Sequence, residues 1–251
     1  DAGGTQTTAV LDGDEWVING TKCFITNATF ARFVTTTAVT DKGKGTSGIS
    51  AIIVPTDSPG FSVNANYEKL GLHGSNTTEL FFDNVRAPKE NLVGKRGHGF
   101  KQFLVVLDGG RIGVAAMSVG IAQACLDASL KYVQERNQFG QPIGKFQAIQ
   151  FKLADMAAHI ELARMMYLKA AWLKDHDLSY TKEAAIAKLF ASEIATKASL
   201  EAIQIHGGYG YMKEFPVERY LRDAKLCEIG EGTSEIQRMV IARQLLGPEC
   251  R

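Results

Sequence analysis

The feature that most constrains this chain is a change of hydrophobic period close to residue 97. Before it, β-branched and aromatic residues come in short runs separated by turn signals. After it, apolar residues recur at three-four spacing over long stretches. Alternation of period two puts one face of a strand on a core, whereas a period near 3.6 puts one stripe of a helix there. A chain that makes this change once is expected to be α+β and multidomain, with strands and helices in separate layers.

The first part reads as a barrel or sandwich. Val10 to Ile18 gives strand, turn and strand, with Asp12-Gly13 as the hairpin signal, and Asn19-Gly20 gives a second tight turn before Thr21 to Thr26. Phe33 to Val39 and Ile49 to Val54 are β-branched runs on either side of a polar loop at 41–45, and Leu80-Phe81-Phe82 with Val85 makes a further strand. The chain opens within this region with no earlier element to cover its edge, so the β-domain is expected to be N-terminally truncated.

The second part reads as an up-down helical bundle. Phe103, Leu107, Ile112, Ala115, Val119, Ala122, Leu126, Leu130 and Val133 follow one helical stripe, interrupted at Gly109-Gly110. Arg136 to Pro142 ends that helix. Others are expected at about 146–174 and 180–205, with a short one near 217–223. The last starts at Ser234, where Gln237 completes a capping box, and ends near Leu246. The domains are therefore 1–96, a β-domain, and 97–251, a helical bundle.

Bulk properties remove several function classes. Lys+Arg 28 against Asp+Glu 27 leaves a formal charge of +1, with no basic face for nucleic acid. Cys23, Cys125, Cys227 and Cys250 lie far apart, with no metal-ligand spacing, as in a reducing compartment. No apolar run of membrane length is seen, and the first residues resemble no signal peptide. No metal and no membrane partner are expected.

One loop stands out from this background. In Ile229-Gly230-Glu231-Gly232-Thr233-Ser234-Glu235-Ile236-Gln237-Arg238 a carboxylate lies between two glycines, just ahead of a helix start. Glycines let a backbone turn tightly and let a ligand approach. Taken by itself, Glu231 reads as an acidic residue favouring the helix dipole. Asp108 and Arg111 read alone as a surface i, i+3 pair, Arg136 as part of a solvated helix end, and His206 as a structural histidine.

Residues 231–238 resemble the C-terminal signature of the acyl-CoA dehydrogenase family. Phe24-Ile25-Thr26-Asn27, Lys69 to Ser75 with Thr77, Asp108-Gly109-Gly110-Arg111, Arg136 to Gly140, Phe146-Gln147 and Gln204 to Gly208 follow in that family's order and spacing. The resemblance covers essentially the whole chain. It departs at the start, where Asp1-Ala2-Gly3 falls just at the end of a flavin motif and the family's N-terminal helical domain is absent. Such a chain alone is expected to hold FAD weakly and not to turn over substrate.

The resemblance implies FAD-dependent α,β-dehydrogenation of an acyl-CoA thioester to the trans-2-enoyl-CoA, a step of fatty acid β-oxidation. Glu231 would be the base, desolvated so that its pKa rises toward neutrality, and flavin N5 would take the hydride. Asp108, Arg111 and Gly232 would lie along the substrate, with Arg111 near the base. Phe24, Ile25 and Thr26 would face the isoalloxazine. Arg136, Asn137, Gln138, Phe146 and Gln147 would reach a neighbouring subunit's FAD, where an arginine can contact phosphate. Gln204, Ile205, His206, Gly207 and Gly208 would line the dinucleotide, His206 without a catalytic role. Thr233, Ser234 and Glu235 would complete the FAD site at a helix N-terminus.

An electron-transfer flavoprotein would accept the electrons. The oligomer would be a homotetramer, a dimer of dimers, in a bacterial cytoplasm or a mitochondrial matrix. An acyl-CoA oxidase and a non-catalytic flavin-binding or oligomerisation module are the alternatives. Acyl chain length is not readable from these residues.

Overall fold

The computed structural model describes residues 1–247. Two compact units separate within them. One comprises Asp1–Lys69 and His73–Val106; the other comprises Leu70–Leu72 and the chain from Leu107 onward.

The first unit holds six strands, β1 Thr8–Asp12, β2 Glu15–Thr26, β3 Phe33–Val39, β4 Ile49–Pro55, β5 Phe61–Val63 and β6 Thr77–Pro88. They form one mixed sheet in the order β4-β3-β1-β2-β6-β5, in which only β1 and β3 run parallel. The barrel-or-sandwich expectation takes the form of this single sheet folded about its own core. Ile52 and Val54 of β4 share one cluster with Trp16 and Ile18 of β2 and with Leu80, Phe82 and Val85 of β6. Each such side chain, fully withdrawn from water, contributes about 1.5–3 kcal/mol.

The Asp12-Gly13 hairpin forms as expected, with Asp12 paired to Glu15 and Gly13 at φ 62°. Asn19-Gly20 makes no turn. β2 runs through it with a register shift between Ile18 and Gly20. Gly20 stands at φ 142°, where a Cβ would be 2.7 Å from Thr7 Oγ1. The glycine answers a close approach of Thr7, the residue just ahead of β1, not a reversal of the chain.

In the second unit α1 Gly99–Glu135 continues past Val106, followed by α2 Gln147–Asp175, α3 Thr181–His206, α4 Val217–Ile229 and α5 Ser234–Leu246. The short strands β7 Asn137–Gln138 and β8 Gln141–Pro142 pair between α1 and α2. α3 is the centre: Ala184, Ala187, Ala191, Ala195, Ala198 and Ala202 are all buried. Their small side chains let α2, α4 and α5 pack closely on it.

Four expectations change. Gly109-Gly110 does not interrupt α1, which is continuous for 37 residues. α4 runs on to Ile229 because Ala224 and Cys227 continue its buried face. The cap of α5 is Thr233 and not Ser234, since Thr233 accepts the Ile236 N–H at 3.4 Å. α1 is long and apolar enough, by length and composition, to cross a membrane. Asp108 and Arg111 divide its apolar run in the sequence, and Ala115, Val119, Ala122, Leu126 and Val133 lie in the bundle core. Cys125 and Cys227 are buried and Cys23 is exposed, all free; Cys250 lies outside the described residues.

Leu70–Leu72 joins the second unit through polar backbone contacts. Leu72 N–H donates to Asp223 Oδ1 at 2.6 Å and Arg222 donates to the Leu70 carbonyl at 3.1 Å. A Cβ on Gly71 would collide with the Arg222 carbonyl.

Candidate active site

The loop between α4 and α5 presents Glu231 in a conformation that non-glycine residues seldom adopt. Glu231 stands at φ 56° and Gly232 at φ 92°, two successive left-handed residues. Such a turn persists when its surroundings over-determine it. Here Gln237, fully buried in the first turn of α5, donates to the Gly232 carbonyl at 2.8 Å and to the Glu231 carbonyl at 3.2 Å. Lys188, fully buried on α3, donates to the same Gly232 carbonyl at 2.7 Å.

The Glu231 side chain reaches α1 at its glycine doublet. A Cβ on Gly110 would stand 2.6 Å from Glu231 Oε2. Beside it, Arg111 is 5% exposed and donates to Asp108 Oδ1, while Thr181 Oγ1 donates to Asp108 Oδ2 at 2.7 Å. This is not the surface pair that i, i+3 spacing suggests by itself. Arg111 Nε is buried with no partner among the described residues, an unused donor close to the carboxylate loop.

Glu231 itself is exposed. The desolvation expected of this residue is therefore not supplied by the chain's own side chains. Burial acts instead on Lys188, whose pKa is pushed down to about 8; Cys227 opposes this, Arg111 adds to it, and Glu228 and Glu231 oppose it. Lys188 went unnoticed in the sequence. Its signal was the buried stripe Ala184, Lys188, Ala191, Ala195, in which it is the one charged member.

A second group of expected residues meets in a cavity of about 640 Å³ within the same unit. Arg136, Gln138, Phe146, Ile205, His206, Gly207 and Gly208 line it, as do Tyr132, Phe139 and Tyr209, which the sequence reading omitted. Asn137, Gln147 and Gln204 do not. The Arg136 guanidinium lies 5.3 Å from the Tyr209 ring centroid. No heavy atom stands within 4 Å of a Cβ position on Gly207 or Gly208, so the backbone there is open to the cavity. The His206 ring stacks on Tyr132 at 4.2 Å, Nδ1 bonds the Ala202 carbonyl at 2.8 Å, and burial lowers its pKa. Aromatic walls, one guanidinium and open glycine backbone suit a planar ligand that carries phosphate.

Near the helix start, Thr233 caps α5 and Ser234 is buried with its hydroxyl unpartnered among the described residues. Glu235 is exposed, its pKa lowered by its own backbone N–H and by Thr233.

In the β unit, Phe24, Ile25 and Thr26 sit at a bulge, where the register shifts between Lys22 and Ile25. Phe24 is 75% exposed at φ 57° and packs on Tyr67 at 5.3 Å. An exposed aromatic at positive φ is re-aimed by the bulge and stores strain.

Residues 97–246 match the family described as acyl-CoA dehydrogenase, C-terminal domain, and residues 1–85 match acyl-CoA dehydrogenase, middle domain. The chain belongs to the acyl-CoA dehydrogenase family. It is 68% identical over 247 residues to a probable acyl-CoA dehydrogenase of Bacillus subtilis (strain 168), covering 98% of this chain and 65% of that one. It is 53% identical to the mitochondrial short-chain specific acyl-CoA dehydrogenase of Mus musculus, covering 98% of this chain and 60% of that one. The solved butyryl-CoA dehydrogenase from Megasphaera elsdenii superposes with a TM-score of 0.97 at 48% identity, over 98% of this chain and 65% of that one. The chain thus spans less than two thirds of the length of each of these acyl-CoA dehydrogenases.

Proposed function

We propose that this chain carries the base, and part of the flavin site, of an FAD-dependent dehydrogenase acting on short-chain acyl-CoA thioesters. The product would be the trans-2-enoyl-CoA. The observation that carries the reading is the fit of Glu231 against Gly110: a helix position without a side chain receives a carboxylate presented by a left-handed loop. The short-chain assignment is supported by relatives named for short-chain and butyryl substrates. Residues 1–96 then act as the middle β-domain and 97–251 as the C-terminal helical domain.

Glu231 takes the α-proton of the bound thioester. A carboxylate at the tip of a two-residue turn flanked by glycines can approach the α-carbon with little hindrance, and its placement contributes more than its intrinsic basicity. Arg111, held by Asp108, keeps a positive charge beside the loop, with Gly232 completing the substrate-facing backbone. FAD, when bound, supplies the acceptor for the β-hydrogen, taken as hydride at N5.

The residues present fit that cofactor. Arg136 offers a guanidinium for phosphate, the cavity's aromatic walls suit a planar base, and Gly207-Gly208 leaves backbone uncovered. Asn137, Gln147 and Gln204, outside the cavity lining, stay in the reading as its periphery. Phe24, Ile25 and Thr26 provide an exposed aromatic edge in the β unit for the isoalloxazine, and Thr233, Ser234 and Glu235 a helix start for polar ligand atoms.

An electron-transfer flavoprotein is the proposed electron acceptor. A homotetramer built as a dimer of dimers is the proposed assembly, supported by Phe151, Leu162, Met165, Leu168 and Trp172 exposed along α2. Bacterial and mitochondrial relatives point to a cytoplasm or a mitochondrial matrix. The test is anaerobic mixing of the complete flavin-loaded protein with butyryl-CoA. Bleaching of the flavin is expected, and a flavin unaffected by any short-chain acyl-CoA overturns the reading.

A further inference from the structure

Among the described charged groups of the second unit, one is fully buried and has no part in the chemistry above. Lys188 lies on the inward stripe of α3, with no exposure. A buried ammonium is costly unless it is paired. Among the described residues Lys188 has no carboxylate within ion-pair distance; its hydrogen bond goes to the Gly232 carbonyl at 2.7 Å. That carbonyl belongs to the residue immediately after Glu231.

We propose that Lys188 is a positioning residue for the Glu231 loop: its ammonium and the Gln237 amide together grip the Gly232 carbonyl and hold Glu231 in the left-handed turn that aims its carboxylate at the face of α1. This inference rests on the reading of Glu231 as the base.

The geometry favours a specific role over core filling. An apolar side chain on the α3 stripe would pack there without desolvating a charge, as the neighbouring alanines do. The grip falls on the Gly232 carbonyl, the next in the chain after that of Glu231. Gln237 alone leaves that carbonyl held from α5 only; Lys188 adds a hold from α3, so the loop is tied to two helices. The turn needs such ties, because Glu231 at φ 56° departs from its preferred backbone regions.

Charge also matters to the grip. An ammonium donates a stronger hydrogen bond than a neutral amine. The groups facing Lys188 are Cys227 and Glu228 on α4, Arg111 on α1, and Glu231 on the loop. Cys227 is held above its ordinary pKa, first of all by burial. Lys188, pushed down to about 8, loses its charge just above neutrality.

The experiment compares Lys188→Met, Lys188→Gln and Glu231→Gln in the complete flavin-loaded protein. It reads flavin content, KM for butyryl-CoA, and the rate of flavin bleaching against pH. Lys188→Met is expected to keep flavin and KM within about twofold while bleaching slows about tenfold to a hundredfold, the scale of a misplaced reacting group. The parent's profile should fall on the alkaline side near pH 8, and that of Lys188→Met should not. Lys188→Gln, which keeps a donor, should fall between the two.

If Glu231→Gln is inactive while Lys188→Met bleaches with the parent's rate and pH profile, the positioning role is overturned and the base assignment stands. If Glu231→Gln bleaches like the parent, the base assignment fails and this inference fails with it. If both Lys188 variants lose folded, flavin-bearing protein, Lys188 holds the core and not the loop, which also overturns the proposal.

Discussion

Gly110 and Glu231 are fitted to one another: a methyl group on Gly110 would stand 2.6 Å from Glu231 Oε2. Alanine in place of glycine inside a helix usually stabilises by about 1 kcal/mol. The carboxylate end can swing away from an added methyl, so Gly110→Ala is expected to leave stability unchanged or slightly raised. The same swing displaces the base, and flavin bleaching by butyryl-CoA should slow by about tenfold to a hundredfold. Thermal melting and stopped flow on one sample separate the two effects. A variant that is both more stable and fully active would show that the contact has no bearing on the chemistry.

Glu231→Gln keeps the shape of the side chain and removes its basicity. Bleaching is expected to fall by about 10²–10⁴-fold, the range for loss of a general base. Flavin content and the binding constant for acyl-CoA should change little. Glu231→Asp should retain part of the rate. Wild-type bleaching in the glutamine variant would return Glu231 to the status of an acidic residue near a helix start.

How far the site was legible in the sequence depends on which physical signal each residue carries. The α+β division followed from one change of period, and α2 and α3 ended within a residue or two of their expected limits because Gly, Pro and polar clusters punctuate them. Residues 136–146 and 205–208 lie far apart in sequence, and the resemblance implied only that each contacts FAD; the cavity brings most of them together. Lys188 was not seen, because a lone lysine in an alanine-rich helix resembles a solvated residue unless its place on the buried stripe is traced. Phe24 at φ 57° was read as plain strand, since a bulge depends on the pairing of β2 with β6 and not on local composition. The cap of α5 shifted by one because Thr233 and Ser234 are both able to cap. Nothing in i, i+3 spacing distinguishes this pair, with Arg111 buried and Asp108 half-buried, from an exposed one.

Arg136 is the cation in the cavity, and its guanidinium lies over Tyr209. Arg136→Ala is expected to weaken FAD retention by about tenfold or more, the scale of a lost charge-assisted hydrogen bond. The parent's flavin should also be lost more readily as salt rises, and this sensitivity should shrink in the variant. Equal retention and equal salt dependence in both proteins would place the phosphate contact elsewhere.

Asp108 holds a guanidinium that is 5% exposed. Asp108→Ala leaves that charge buried without its carboxylate, which costs about 3 kcal/mol. It also strips Thr181 of its acceptor. The double variant Asp108→Ala with Arg111→Met removes both charges and is expected to be more stable than Asp108→Ala alone. Urea unfolding of the two variants and the parent tests this order. A single variant as stable as the parent would mean that Arg111 finds another partner or water.

Lys188 makes the pH dependence of stability specific in sign. Burial lowers its pKa from 10.5 to about 8 in the folded chain. Between those values the unfolded chain binds more protons at this site than the folded one, so stability rises with pH through that window. Below about pH 8 the folded protein carries the full cost of a buried ammonium, roughly 3 kcal/mol from the size of the shift. Lys188→Met has no such group. The stability of the parent relative to Lys188→Met is therefore expected to improve by roughly 2 kcal/mol between pH 7 and pH 9.5. Urea midpoints for both proteins at the two pH values measure it, and taking the difference cancels every other titrating group the two share. A difference that stays constant would mean that Lys188 keeps its ordinary pKa when folded. Any alkaline limb in the flavin-bleaching profile would then have to come from another group.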